Sequence, residues 1–240
     1  MDVEPHMNSL SKTKMIFLFS VVCLSCFLSC STTPENPINK LKRSLNDVAS
    51  YSIILEDMKE EGMFSKQYFH KYRIIRDDDS QISGWEEVSE KFYRLNENYL
   101  GMVLISKVDG IVDPTVSPPG YNYVGNQQYG RWVDDGRGGS FWEFYGKYAF
   151  FTSLFGGWYR PIYRTDYNDY SSYRSQRRPY FGRNNEFGSA GSIVKQKKPG
   201  FYERKMAKTT VSKKTFSDRV SKRVGRTRTS YRSRSGSWGK

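Results

Sequence analysis

Residues 51–58, YSIILEDM, and 67–75, QYFHKYRII, decide how the chain is read. Both are short runs rich in β-branched and aromatic residues. The second alternates Tyr68, His70, Tyr72 and Ile74 on one face, and residues 60–65, with Gly62, would join the two as a hairpin. Upstream, Pro37 stands where a first helical residue would, and Ile38, Leu41, Leu45 and Val48 recur at helical spacing, which predicts a short amphipathic helix to about Ser50. Downstream, Asp77, Asp78, Asp79 and Ser80 lack the spaced oxygen ligands of a calcium loop and read as a solvated turn. Trp85, Val88, Phe92 and Leu95 then recur at helical spacing. Glu86, Glu87 and Glu90 stand early in that run, where acids suit the helix dipole. Residues 99–108 read as an apolar strand closed by Asp109 and Gly110. The order helix, strand, strand, helix, strand predicts an α+β fold for residues 38–112. Its core would hold Ile53, Leu55, Tyr72, Ile74, Trp85, Phe92, Val103 and Ile105.

The rest of the chain is shaped by its charge. The net charge of +13 is uneven: residues 160–240 carry 22 Lys/Arg against 5 acids, and residues 1–159 carry 16 against 20. A mildly acidic body with a cationic end points to a polyanionic partner such as anionic lipid, envelope polymer or nucleic acid. With 18 Tyr and 15 Phe among 37% hydrophobic residues, burial must lean on rings. The three cysteines, Cys23, Cys26 and Cys30, lie together near the N-terminus, and the histidines are His6 and His70 only. Neither a disulfide framework nor a zinc site fits that inventory, and no cofactor is expected.

Lys12 and Lys14 precede an apolar run from Met15 to Leu28, followed by Ser29 and Cys30. As a helix that run would span about 21 Å, too short for a hydrocarbon core of about 30 Å, so residues 1–29 read as a signal peptide. The first six residues add nothing that such a segment needs, so Met7 would serve as its start as well as Met1. Phe27, Leu28, Ser29 and Cys30 resemble the lipobox of bacterial lipoproteins, with Phe in the place where Leu is usual. That resemblance implies a diacylglycerol thioether on Cys30, cleavage before it and a further acyl chain, such as palmitate, on the new amine. Residues 30–37 would be the tether, and the same resemblance implies, from Ser31 in place of an inner-membrane retention Asp, delivery to the outer membrane where the cell has one.

Residues 113–160 turn to Gly, Pro, Tyr and Asn. Ser140 and Glu143 match a capping box, and residues 141–155 then read as an aromatic helix. We expect that helix in the core rather than in the lipid interface, because Lys147 is its single cation. Gly136, Arg137, Gly138 and Gly139 read as a turn; the Gly-Lys-Ser/Thr ending of a phosphate loop is missing. Residues 161–202 are Tyr- and Arg-rich and expected to carry little order. Residues 203–240, with 13 Lys/Arg and 2 acids, are expected to be a disordered basic tail.

Tyr121 to Asn126, Ser140 to Gly146, Pro179 to Gly182 and the Arg/Ser-rich end together resemble uncharacterised bacterial lipoproteins of the same plan, over most of the chain. The resemblance implies an address and no activity. The expected function is a non-enzymatic, lipid-anchored envelope protein facing the periplasm or exterior. Its tail would engage anionic lipid or envelope polymer through Lys213, Lys214, Arg219, Lys222, Arg223, Arg226, Arg228, Arg232 and Arg234. A second reading is an exported enzyme with its site among Tyr, Asp and Arg of residues 120–180. A third follows from the Arg/Ser run 226–234, which resembles segments of RNA-binding proteins; export would keep the chain from RNA.

Overall fold

The computed structural model describes residues 34–76 and 79–226. Helix α1 (Pro37–Ser44) opens on Asn36, whose side chain accepts the amide of Ile38, with Pro37 at the first helical position. It stops at Leu45, short of Ser50, and buried Leu45 closes it. Strands β1 (Tyr51–Glu61) and β2 (Gln67–Arg76) form the expected hairpin, with Tyr51 opposite Arg76 and Glu61 opposite Gln67. Between Leu55 and Asp57 the register shifts, so Glu56 is an extra, unpaired residue and β1 carries a bulge there.

On the far edge of β2 lie β3 (Asp79–Ile82) and β4 (Glu86–Val88). Residues 85–88 are expected to begin a helix, but 86–88 extend this edge instead, because Ser89 caps the helix later: its side chain accepts the amide of Phe92. Helix α2 is therefore Glu90–Asn96. Trp85 is not core; it is 38% exposed, with the ammonium groups of Lys59 and Lys71 lying 4.4 and 4.7 Å from its ring. Phe92 is half-buried, and the other six expected core residues are buried. Asp79 belongs to β3; Asp77 and Asp78 lie outside the described residues.

Strand β5 (Val103–Val108) returns along β1 and turns into β6 (Ile111–Asp113) through Asp109 and Gly110. Both turn residues have positive φ, 50° and 82°, the two-residue hairpin conformation that matches strand twist and that Asp-Gly adopts readily. The sheet is antiparallel, ordered β3-β2-β1-β5-β6 with β4 also on β2. The fold is α+β.

Both faces of β1 are buried from Tyr51 to Glu56, which the small α+β unit alone does not explain. One face carries Ile53, Leu55, Tyr72 and Ile74, with His70 beside Phe92 and Tyr93 of α2. The other carries Ser52, Ile54, Arg73 and Ile75, and residues 115–194 cover it with rings. The serines on this face are small because tyrosine hydroxyls meet them: Tyr123 at 3.0 Å from Ser52, Tyr129 at 3.1 Å from Ser50. Tyr129 also donates to Asp109 at 2.6 Å. Tyr123, Phe151, Phe144, Tyr129 and Tyr148 pack behind them in edge-to-face and tilted pairs. Each such ring removes about 150–250 Å² from water, so the core rests on aromatics as the composition predicts.

Three expectations for this half are corrected. Residues 141–155 are not one helix. Strand β8 (Ser140–Phe144) pairs with β7 (Gly130–Asp134), followed by a 3₁₀ turn at Gly146–Tyr148 and helix α3 (Phe151–Leu154). Aromatic residues pack well on a pleated surface, and the period is two: Trp142 and Phe144 are buried while Glu143 pairs outward with Arg131 instead of capping. Residues 161–202 are ordered, with α4 (Arg164–Ser175) and α5 (Ser192–Lys197), and Tyr170, Tyr180, Phe187, Ile193 and Val194 are buried. The tail is helical through α6 (Pro199–Arg226); residues 227–240 lie outside the described residues. Charge composition argued against order there, but Glu203, Arg204, Lys205, Met206, Ala207 and Lys208 are all good helix formers. Pro199 suits the start, and docking of Phe201 and Tyr202 on the core offsets the cost of nucleation.

Candidate functional site

Helix α6 has two parts. Its first three turns are fastened to the body: Lys198, just before it, reaches Asp57 at 2.6 Å, Lys205 reaches Glu97 at 3.3 Å, and Lys208 reaches Glu60 at 2.8 Å. Burial alone would raise the Glu60 carboxyl, but hydrogen bonds and charge from Lys208 and Lys66 outweigh it and hold the group below its ordinary range. Together α6, α2 and the end of β1 border a groove of 620 Å³ floored by Met58, Tyr93 and Phe201. Both acids in it, Glu60 and Glu97, are already paired with cations.

From Thr210 to Arg223 every residue is exposed, so this stretch of helix, about 21 Å at 1.5 Å per residue, projects from the body. It carries Lys213, Lys214, Arg219, Lys222 and Arg223, none within ion-pair distance of a carboxylate among the described residues. Val211, Phe216 and Val220 are exposed beside them, Phe216 by 70%. Phe216 and Val220 are four apart and share a helix face. A basic helix displaying an aromatic and two aliphatic side chains fits a surface where lipid headgroups meet acyl chains. Of the remaining tail cations, Arg226 ends α6, and Arg228, Arg232 and Arg234 lie outside the described residues, as does Cys30.

A second cleft, of 970 Å³, lies within residues 120–180. Its lining comes from the β7–β8 hairpin and the start of α4, and includes Trp132, Trp142, Tyr145, Arg164 and Tyr167. Trp132 and Trp142 face each other across the hairpin register with ring centroids 5.2 Å apart. The Arg164 guanidinium lies 4.1 Å from the Trp132 ring. The Trp142 indole Nε1 is buried and has no acceptor among the described residues, an arrangement that costs about 1–3 kcal/mol. The lining holds no carboxylate, histidine or thiol, so it offers binding groups rather than an acid and base pair. The acids nearby are engaged elsewhere: Arg183 lies 3.4 Å from both Asp166 and Asp169, and Asp134 and Asp135 accept amides in the hairpin turn.

Sequence reasoning missed two buried polar centres. Glu56, placed by its bulge, accepts from Arg73 Nε and Trp158 Nε1, both at 2.8 Å, on the covered face of the sheet. Lys197 lies 4.2 Å from the Trp158 ring; burial lowers its pKa, and the nearby Glu56 works against that shift. On the opposite face, His70 is fully buried with Nδ1 3.0 Å from the Tyr72 hydroxyl, and burial brings its pKa to about 4. A charged residue amid the apolar run 53–58 was the available signal for the first. Glu86 and Glu87, weighed as an acid and base pair, lie on edge strand β4, where successive side chains point to opposite faces; Glu86 pairs with Lys40 at 3.7 Å. Among the described residues no group of three His, Cys, Asp or Glu could hold a metal ion, and no helix is long and apolar enough to cross a membrane. No family model, curated protein or solved structure matches the chain.

Proposed function

We propose that this chain is a lipid-anchored envelope protein without catalytic activity, held by acyl chains on Cys30 and pressed to an anionic lipid surface by the outer half of α6. The observation that carries the reading is the projecting stretch 210–223, five cations without an ion-pair partner among the described residues, flanking exposed Phe216 and Val220. Each cation near an anionic leaflet contributes about 1 kcal/mol, screened beyond about 8–10 Å at physiological salt, so the helix must lie on the surface to act. Acyl chains hold the molecule there, at about 0.8 kcal/mol per buried methylene, and two or more chains are needed for stable attachment.

Two measurements test it. Metabolic labelling with a fatty acid should mark the native chain and leave Cys30→Ala unmarked; equal labelling of both would remove the anchor. The unlipidated Cys30→Ala chain should bind vesicles containing phosphatidylglycerol and release them as salt rises. Replacing Lys213, Lys214, Arg219, Lys222 and Arg223 by Gln should weaken that binding more than about a hundredfold, from five contributions of about 1 kcal/mol. Binding indifferent to salt, or equal on phosphatidylcholine vesicles, would refute the surface reading. Tighter binding to an RNA oligonucleotide than to anionic vesicles would favour the nucleic-acid alternative.

A further inference from the structure

The cleft between the β7–β8 hairpin and α4 shares no lining residue with α6, and its chemistry is specific. We propose that it binds an acidic saccharide, a sugar ring bearing a carboxylate. Three observations converge on that class. The first is a free cation. Arg131 is neutralised by Glu143 at 3.0 Å, whereas Arg164 has no carboxylate partner among the described residues and is held in place only by the Trp132 ring. A single planar guanidinium with its fork unclaimed fits a carboxylate in two parallel hydrogen bonds.

The second is the aromatic lining. Trp132, Tyr145 and Tyr167 give the cleft flat apolar surfaces, suited to the C–H face of a pyranose, with Tyr145 fixed by its hydroxyl on the Gln127 carbonyl. The third is the Trp142 indole N–H, a buried donor without an acceptor among the described residues, which a ring hydroxyl or acetamido carbonyl would supply. Its surroundings are kept clear by glycine: a Cβ on Gly130 would lie 2.6 Å from Nε1, and one on Gly125 2.6 Å from the Tyr167 hydroxyl. The cleft volume of 970 Å³ is near the upper end of the usual range for ligand pockets, about 300–1,000 Å³. A phosphoryl ligand is the weaker fit, since its larger charge would meet one free cation and the Glu143 carboxylate nearby.

The test is titration of the Cys30→Ala full-length chain, followed by tryptophan fluorescence, with a glucuronate-containing disaccharide and its neutral glucose counterpart. The acidic sugar should bind at least about tenfold more tightly than the neutral one, and Arg164→Met should erase that difference, because a charge-assisted pair is lost. Arg164 is exposed, so this substitution leaves the fold intact; Arg137→Ala, at the hairpin tip outside the cleft, should bind as the parent does. Trp142→Phe, if its melting curve shows it folded, should weaken both sugars alike. The proposal is overturned by an acidic preference that survives Arg164→Met, by tighter binding of uridine monophosphate or inorganic phosphate than of the acidic sugar, or by no response to the acidic sugar up to about 10 mM.

Discussion

Replacing Arg73 with methionine should cost about 3–5 kcal/mol of folding stability, measured by urea unfolding at neutral pH. Arg73 and Glu56 are both largely out of water, their side chains 14% and 11% exposed, and they meet at 2.8 Å. Beyond the ion pair, the guanidinium lies 3.1 Å from the Ser80 hydroxyl and within reach of the Leu154 carbonyl. Methionine fills the space but leaves the Glu56 carboxylate buried with the Trp158 indole as its remaining direct donor. Leaving one charge of a buried pair uncompensated is the expensive case, whereas removing both can be nearly neutral. Adding Glu56→Gln to Arg73→Met should therefore restore part of the loss, since the amide oxygen can still accept from Trp158. A single substitution costing under about 1 kcal/mol, or a double variant worse than the single one, would show that the pair is not a structural centre.

His70 should make the protein lose about 3 kcal/mol of stability as pH falls from 6.5 to about 4. In the fold the imidazole is buried against Tyr72, Phe92 and Tyr93, with Glu86 opposite it in the strand register. Burial disfavours its charged form and brings the pKa from 6.5 to about 4. Within that window the unfolded chain takes up a proton that the folded chain refuses, so acid favours unfolding; above pH 6.5 both states are neutral and the slope vanishes. Carboxylates act lower. Burial raises the Glu60 and Asp113 carboxyls, but their hydrogen bonds and cationic partners hold both below the ordinary range, so their contribution fades as pH falls from the usual carboxylate range through those lowered values. His70→Phe keeps the ring contacts and removes the titration. The unfolding free energy of the parent minus that of the variant should fall by the stated amount as pH drops across the window, and a constant value would overturn the assignment.

The β1–β2 hairpin, the Asp109–Gly110 turn and the α+β class were legible because each rests on local chemistry: alternation, β-branching and a dipeptide that accepts positive φ. The region from Ser140 to Phe155 was misread for a physical reason. A run with rings on nearly every position has no clear period, and the pairing of residues 140–144 with 130–134 across the hairpin, together with the Trp142 amide on the Ile162 carbonyl, selects strand over helix. In α6 the balance was also non-local. Composition argued against order, and the docking of Phe201 and Tyr202, together with lysines reaching acids on α2 and β1, decides otherwise. The cleft drew on residues 125–167, brought together by that same hairpin, and no spacing in the chain announced it.

Covering β1 on both sides has a consequence for the order in which the polypeptide acquires its shape. Ser50, Ser52 and Glu56 wait on partners 71 to 102 positions further along, so the first hairpin emerges with one side unprotected and a carboxylate lacking its indole donor. Closure of such distant contacts is slow, and strands held half-clad are vulnerable to pairing with other chains. Protection of that side therefore waits until the chain has been made past Tyr123, Tyr129 and Trp158, which meet it in the fold.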